Sequence, residues 1–212
     1  AARVDINQLL SESRTLPRGY FKGLNFLLNE QPDKAIDAFI EIVKLDPETV
    51  ELHFALGNLF RRRGETERAI RVHQNLLARP DLPAEHQGHA LYELGQDYLK
   101  AGLLDRAEET FNKLIDTPYS AQAGRALLEI YQREKEWERA ISAAEILQAT
   151  GAGGRQREIA QFYCELAADE LVRTNTDAAM ALLDKALAAD RKSVRATMLI
   201  GDALRARGDI EG

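Results

Sequence analysis

The chain has one cysteine in 212 residues, six prolines, a single tryptophan and no excess of positive charge. One thiol excludes an intrachain disulfide framework and any metal site built from four cysteines, and it fits a reducing compartment. No stretch approaches the roughly 20 apolar residues that a membrane span requires, and Ala1-Ala2-Arg3-Val4-Asp5 does not open like a signal peptide, so a soluble, cytoplasmic chain is expected. A formal net charge of −6 excludes a general attraction to nucleic acid phosphates. What the chain does have is helix formers: with 45% hydrophobic residues and so few prolines it can bury a sizeable core, and an almost entirely helical protein is expected.

A unit recurs along it. In Glu48 to Leu77, Leu56-Gly57-x-x-Phe60 is followed by Ala69, twelve residues after the glycine. This resembles the L-G-x2-Y…A core of the tetratricopeptide (TPR) repeat, a helix-turn-helix of about 34 residues. Leu56, Leu59 and Phe60 share one helix face, Gly57 permits a close approach of the second helix, and Ala69 is expected to meet that gap. Arg63-Gly64-Glu65 reads as the turn, with Gly64 as a left-handed cap. The same step joins Gly23 to Ala35, Gly95 to Ala107, Leu128 to Ala140 and Ala167 to Ala179. Pro80-Asp81-Leu82-Pro83 and Gly151-Ala152-Gly153-Gly154 read as inter-repeat loops.

The expected architecture is therefore an all-α, right-handed superhelical solenoid of TPR repeats forming one array over 1–212. A short leading helix at 4–13 either caps the first repeat or leads in from a preceding segment. Repeats follow at 16–47, 50–80, 84–118, 121–150 and 156–191, and a sixth at 194–212 is cut before its alanine. Met198, Ile200, Ala203 and Leu204 then lie on a helix without its partner, and self-association through this end is expected.

Signatures of catalysis are weak. His86-x-x-His89 lacks an H-E-x-x-H framework and reads as a solvated helix start; the Gly151–Gly154 run has neither a preceding strand nor G-K-[ST]. Cys164, in Phe162-Tyr163-Cys164-Glu165-Leu166, reads as a packing thiol, and Trp137 as a ring packed across a repeat junction. The surface of the first helices that faces the inside of the superhelix is more informative. It should carry Tyr20, Leu24 and Leu27, then Phe54, Asn58 and Arg61, then Tyr92, Gln96 and Leu99, then Arg125, Glu129 and Gln132. Rings, amides and arginines together suit an extended peptide or a partner helix. Arg61-Arg62-Arg63 has a second reading, as cations at the negative end of a helix dipole.

Beyond the repeat framework, the chain resembles the lipopolysaccharide assembly protein B family. The residues that carry the likeness are Asn25-Phe26-Leu27-Leu28 with Asp33-Lys34-Ala35, Leu56-Gly57-Asn58-Leu59-Phe60-Arg61, Arg68-Ala69-Ile70-Arg71-x-His73-Gln74, Ala101-Gly102-Leu103-x-Asp105-Arg106-Ala107-Glu108, and Phe162 to Ala167. The resemblance implies a non-enzymatic scaffold on the cytoplasmic face of the Gram-negative inner membrane. It would promote degradation of the lipid A pathway deacetylase by a membrane-bound AAA metalloprotease. It also implies an N-terminal membrane anchor and a C-terminal rubredoxin-like domain whose two C-x-x-C pairs hold a metal; this chain carries neither, so a central fragment without a cofactor of its own is expected. A generic co-chaperone or secretion adaptor that captures C-terminal carboxylates is the alternative, and an enzyme whose catalytic domain follows the array is a third class. The sequence beyond Gly212 would separate them.

Overall fold

The computed structural model describes residues 18–45, 49–149 and 154–207, so the leading helix expected at 4–13 and the end of the sixth repeat lie outside the described residues. Among the described residues there are eleven helices and no strand: α1 Arg18–Leu28, α2 Pro32–Leu45, α3 Val50–Arg62, α4 Thr66–Leu77, α5 Ala84–Lys100, α6 Leu104–Asn112, α7 Ser120–Glu134, α8 Trp137–Ala149, α9 Gln156–Val172, α10 Thr176–Ala189 and α11 Val194–Arg207. The all-α repeat fold expected from the sequence is what the chain adopts.

The twelve-residue step has a backbone cause. Seven residues past each small position stands a residue with positive φ: Glu30, Gly64, Gly102, Lys135 and Thr174. The next amide reaches back five residues, from Gln31 to Phe26, Glu65 to Phe60, Leu103 to Tyr98, Glu136 to Tyr131 and Asn175 to Glu170, at 2.8–2.9 Å. This is the six-to-one closure of a left-handed helix cap. The carbonyl of that same residue accepts from the repeat alanine, as Glu65 does from Ala69 at 3.1 Å. One turn geometry thus fixes five helix pairs, and glycine supplies it without steric cost only at Gly64 and Gly102.

The alanine does not fill the gap left by the glycine, as the sequence suggested. A Cβ on Gly57 would fall against the imidazole of His73, and one on Gly23 against the ring of Phe39. The gap is filled by the residue four past the alanine, one turn further along the second helix. The fourth repeat exchanges the sizes, Leu128 going with Ala144, and the fifth keeps them, Ala167 going with Leu183; all four are buried.

The chain forms two compact units, Ala1–Thr110 and Phe111–Gly212. In the first, Ala35, Ile36, Phe39, Leu52, Leu56 and Phe60 form one core cluster, and Val50, Phe54, Leu76, Leu82 and Ala90 form another. In the second, Cys164, Ala167, Ala179 and Leu183 pack together with Ala196 of α11. Trp137 stacks on Phe162 of the next repeat at 5.9 Å and 18°. Burial raises the pKa of the Cys164 thiol, whose Sγ lies 4.0 Å from Ser193 Oγ, so it packs as expected.

Candidate partner-binding surface

In the first unit the helices α3, α4 and α5 bring several of the expected groove residues together, but not as an open surface. Arg61, near the end of α3, donates from Nη2 to Glu93 Oε2 (2.6 Å) and to Asn58 Oδ1 (2.5 Å), and from Nη1 to Asp97 Oδ1 (2.8 Å) and the Glu93 carbonyl (3.1 Å). Asp97 is fully buried, and its other oxygen accepts from His73 Nδ1 at 2.5 Å. Glu93 also lies 3.3 Å from His89 Nε2. Phe54 is buried rather than presented: its ring lies 4.1 Å from that of His89 and 6.0 Å from that of His73.

Electrostatics hold Glu93 and Arg61 in their charged forms. Burial would raise the pKa of Glu93, yet hydrogen bonds from His89 and Arg61, with the charges of Arg61 and His73, hold it down at about 2. Burial acts to lower the pKa of the Arg61 guanidinium; the hydrogen bond and charge of Glu93, then those of Asp97, outweigh it and raise it. Both Nη atoms of Arg61 are therefore engaged within the chain. The expectation that Arg61 stands open on the groove surface is corrected here: its guanidinium is held by Glu93, Asp97 and Asn58 within the chain, and glutamate at 61 would set a third carboxylate beside Glu93 and Asp97.

The His73–Asp97 pair has the components of a catalytic dyad without its setting. Imidazole Nε2 is buried with no hydrogen-bond partner, and the ring fills the gap above Gly57. His86 and His89 line up against Phe54 and acidic neighbours, and no group of three metal-ligating side chains occurs among the described residues. The four-thiolate metal site implied by the resemblance does not fit this chain, which has one cysteine.

Of the other expected residues, Tyr92 and Gln96 are half-buried on α5 and Leu24 half-buried on α1, while the side chains of Tyr20 and Leu27 lie outside those described. Leu99 is buried. In the second unit Arg125 and Glu129 are exposed, one turn apart on α7, with Gln132 also exposed and Glu129 paired to Arg133 at 2.5 Å. His73, Glu93 and Asp97 were missed by sequence reading. Their signal was there in His73, a polar ring where Phe39 and Phe111 stand in neighbouring repeats, and in acids one turn apart at 93 and 97.

A family model described as tetratricopeptide repeat matches residues 22–82, 92–154 and 164–212. The chain belongs to the tetratricopeptide repeat family. The resemblance read from its residues is also borne out: it is 47% identical over 199 residues, 93% of the chain, to Lipopolysaccharide assembly protein B of Escherichia coli strain K12. It is 37% identical over 199 residues, 90% of the chain, to the protein of that name from Haemophilus influenzae. The chain spans about half the length of these relatives, 51% and 50%. Among solved structures it is similar in fold to MamA, with a TM-score of 0.56 at 22% identity over 82% of this chain and 96% of that one. A C-terminal part of a TPR repeat-containing protein from Cytophaga hutchinsonii gives a TM-score of 0.60 at 19% identity, over 86% of this chain and 72% of that one.

Proposed function

We propose that this chain is the repeat portion of a non-enzymatic adaptor in lipopolysaccharide assembly, working at the cytoplasmic face of the inner membrane. The adaptor brings the lipid A pathway deacetylase to a membrane-bound AAA metalloprotease and so sets how long the deacetylase persists. The observation that carries this reading is the 47% identity to Lipopolysaccharide assembly protein B across 93% of the chain, which extends well beyond the few positions a repeat framework fixes. TPR arrays hold protein partners on their helix faces, and the described residues form no group of three metal-ligating side chains. No described helix is long and apolar enough to cross a membrane, so attachment belongs to a segment other than these helices. The alternative, capture of a free C-terminal carboxylate, is not favoured, because Asn58 and Arg61 already satisfy each other and Glu93.

The test is the half-life of the deacetylase, followed by pulse-chase in a Gram-negative host with the full-length protein present or deleted. The deacetylase should persist longer in the deletion and co-precipitate with the full-length protein. An unchanged half-life, or no co-precipitation, would overturn the reading.

A further inference from the structure

Two cavities of the second unit, about 810 and 590 Å³, share Glu145, Tyr163 and Lys185 and so form one continuous trough. Helices α8 and α10 both pack on α9, which supplies the floor with Tyr163 and Leu166, while α8 and α10 supply the walls. The walls are low where Ser142, Ala178 and Ala181 stand exposed. Helix α8 has 13 residues and α10 has 14, so at 1.5 Å per residue the trough runs for about 20 Å. That is the length of three to four turns of helix. Small residues on the walls let a helix backbone approach closely.

The charges select among helices. Glu138 and Glu145 stand two turns apart on the α8 wall, both exposed, and neither has an ion-pair partner among the described residues; Asp169 on α9 is in the same position. Glu170, in contrast, is held by Arg173 at 2.7 Å. At the far end of the trough the buried Oε1 of Gln148 lacks any donor. The α10 wall instead carries Lys185, whose Nζ sits 5.9 Å from the Tyr163 ring.

We propose that this trough seats an amphipathic helix of a partner protein, its apolar side over Tyr163 and Leu166 and bearing lysine or arginine seven residues apart along the edge that faces α8. The seven-residue spacing matches Glu138 and Glu145, and opposite charge across the rim fixes both direction and register. The inference concerns the second unit alone and does not rest on which pathway the adaptor serves.

Trp137 lines the trough and is the only tryptophan in the chain, so its emission reports occupancy. The probe is a tryptophan-free, end-capped alanine/leucine peptide of about 14 residues with lysines seven apart, compared with a twin carrying glutamates. The lysine peptide should bind saturably, shift Trp137 emission, and outbind its twin by about tenfold or more. The double variant Glu138→Lys/Glu145→Lys should reverse that preference, and Ala181→Phe should abolish binding of both; circular dichroism confirms that each variant folds. The proposal is overturned by an unresponsive Trp137, by equal binding of the twins, by a preference that survives the charge reversal, or by binding that survives Ala181→Phe.

Discussion

Gly57 and Gly201 hold the same place in the repeat and meet opposite surroundings. A Cβ at Gly57 would strike His73, which cannot give way because Asp97 holds its Nδ1 at 2.5 Å, whereas at Gly201 no described atom lies within 4 Å. Gly57→Ala should therefore destabilise by about 1–3 kcal/mol through overpacking. Gly201→Ala should stabilise by about 0.5–1 kcal/mol, since it removes only the entropic cost of a helical glycine. Urea unfolding of the two variants against the parent reads both signs, and a loss at Gly201 would refute the account. A second residue-scale device accompanies the step: Lys34, Arg68, Arg106 and Arg139, each just before its repeat alanine, lie 3.9–5.9 Å from the rings of Phe26, Phe60, Tyr98 and Tyr131. In the fifth repeat both partners are absent together, with Ala178 and Glu170 in their places, as expected of groups that stabilise each other.

At the scale of elements, α3, α4 and α5 are joined by a charged cluster instead of a purely apolar seam. Glu93, held at about 2 against an ordinary 4.5, adds stability that is fully present above 4.5 and is lost as pH falls from there toward 2. On the order of 3 kcal/mol is linked to that titration. Glu93→Gln should be less stable than the parent at neutral pH, with the gap closing as the pH is lowered through that window. Urea midpoints of the two proteins at pH 7, 4 and 3 would show it, and a gap that stays constant would refute it. The helices themselves were legible in sequence, because Gly57, Phe60, Gly64 and Ala69 sit at offsets dictated by one turn. The cluster was not, because His73, Asp97 and Arg61 belong to three helices and no periodicity links them. Phe54 and Arg61 were misplaced for the same reason: their direction on α3 was right, but α5 was already there to receive them. Patterns within one element report its own faces, while which polar groups meet across elements depends on packing.

At the scale of the whole chain, α11 exposes an apolar stripe on the described helix that ends the second unit. Val194 and Met198 are 71% and 66% exposed, and with Gly201 they fall at i, i+4 and i+7, a single stripe on the side away from α9 and α10. Repeat arrays leave such stripes either polar or covered. This one is apolar, so the self-association expected from the sequence remains our proposal for the isolated chain, with α11 of one copy against α11 of another. The formal charge of −6 works against it: two like-charged copies repel at low ionic strength, and salt screens that repulsion while leaving apolar burial in place. Association should therefore strengthen from low to moderate salt, the reverse of a charge-driven contact, and Met198→Lys should suppress it at any salt by placing a cation in the stripe. Sedimentation velocity over a concentration series at two ionic strengths separates the cases. A monomer at high concentration and high salt would remove α11 as an interface, and weakening by salt would mean that charged faces, not this stripe, bring the copies together.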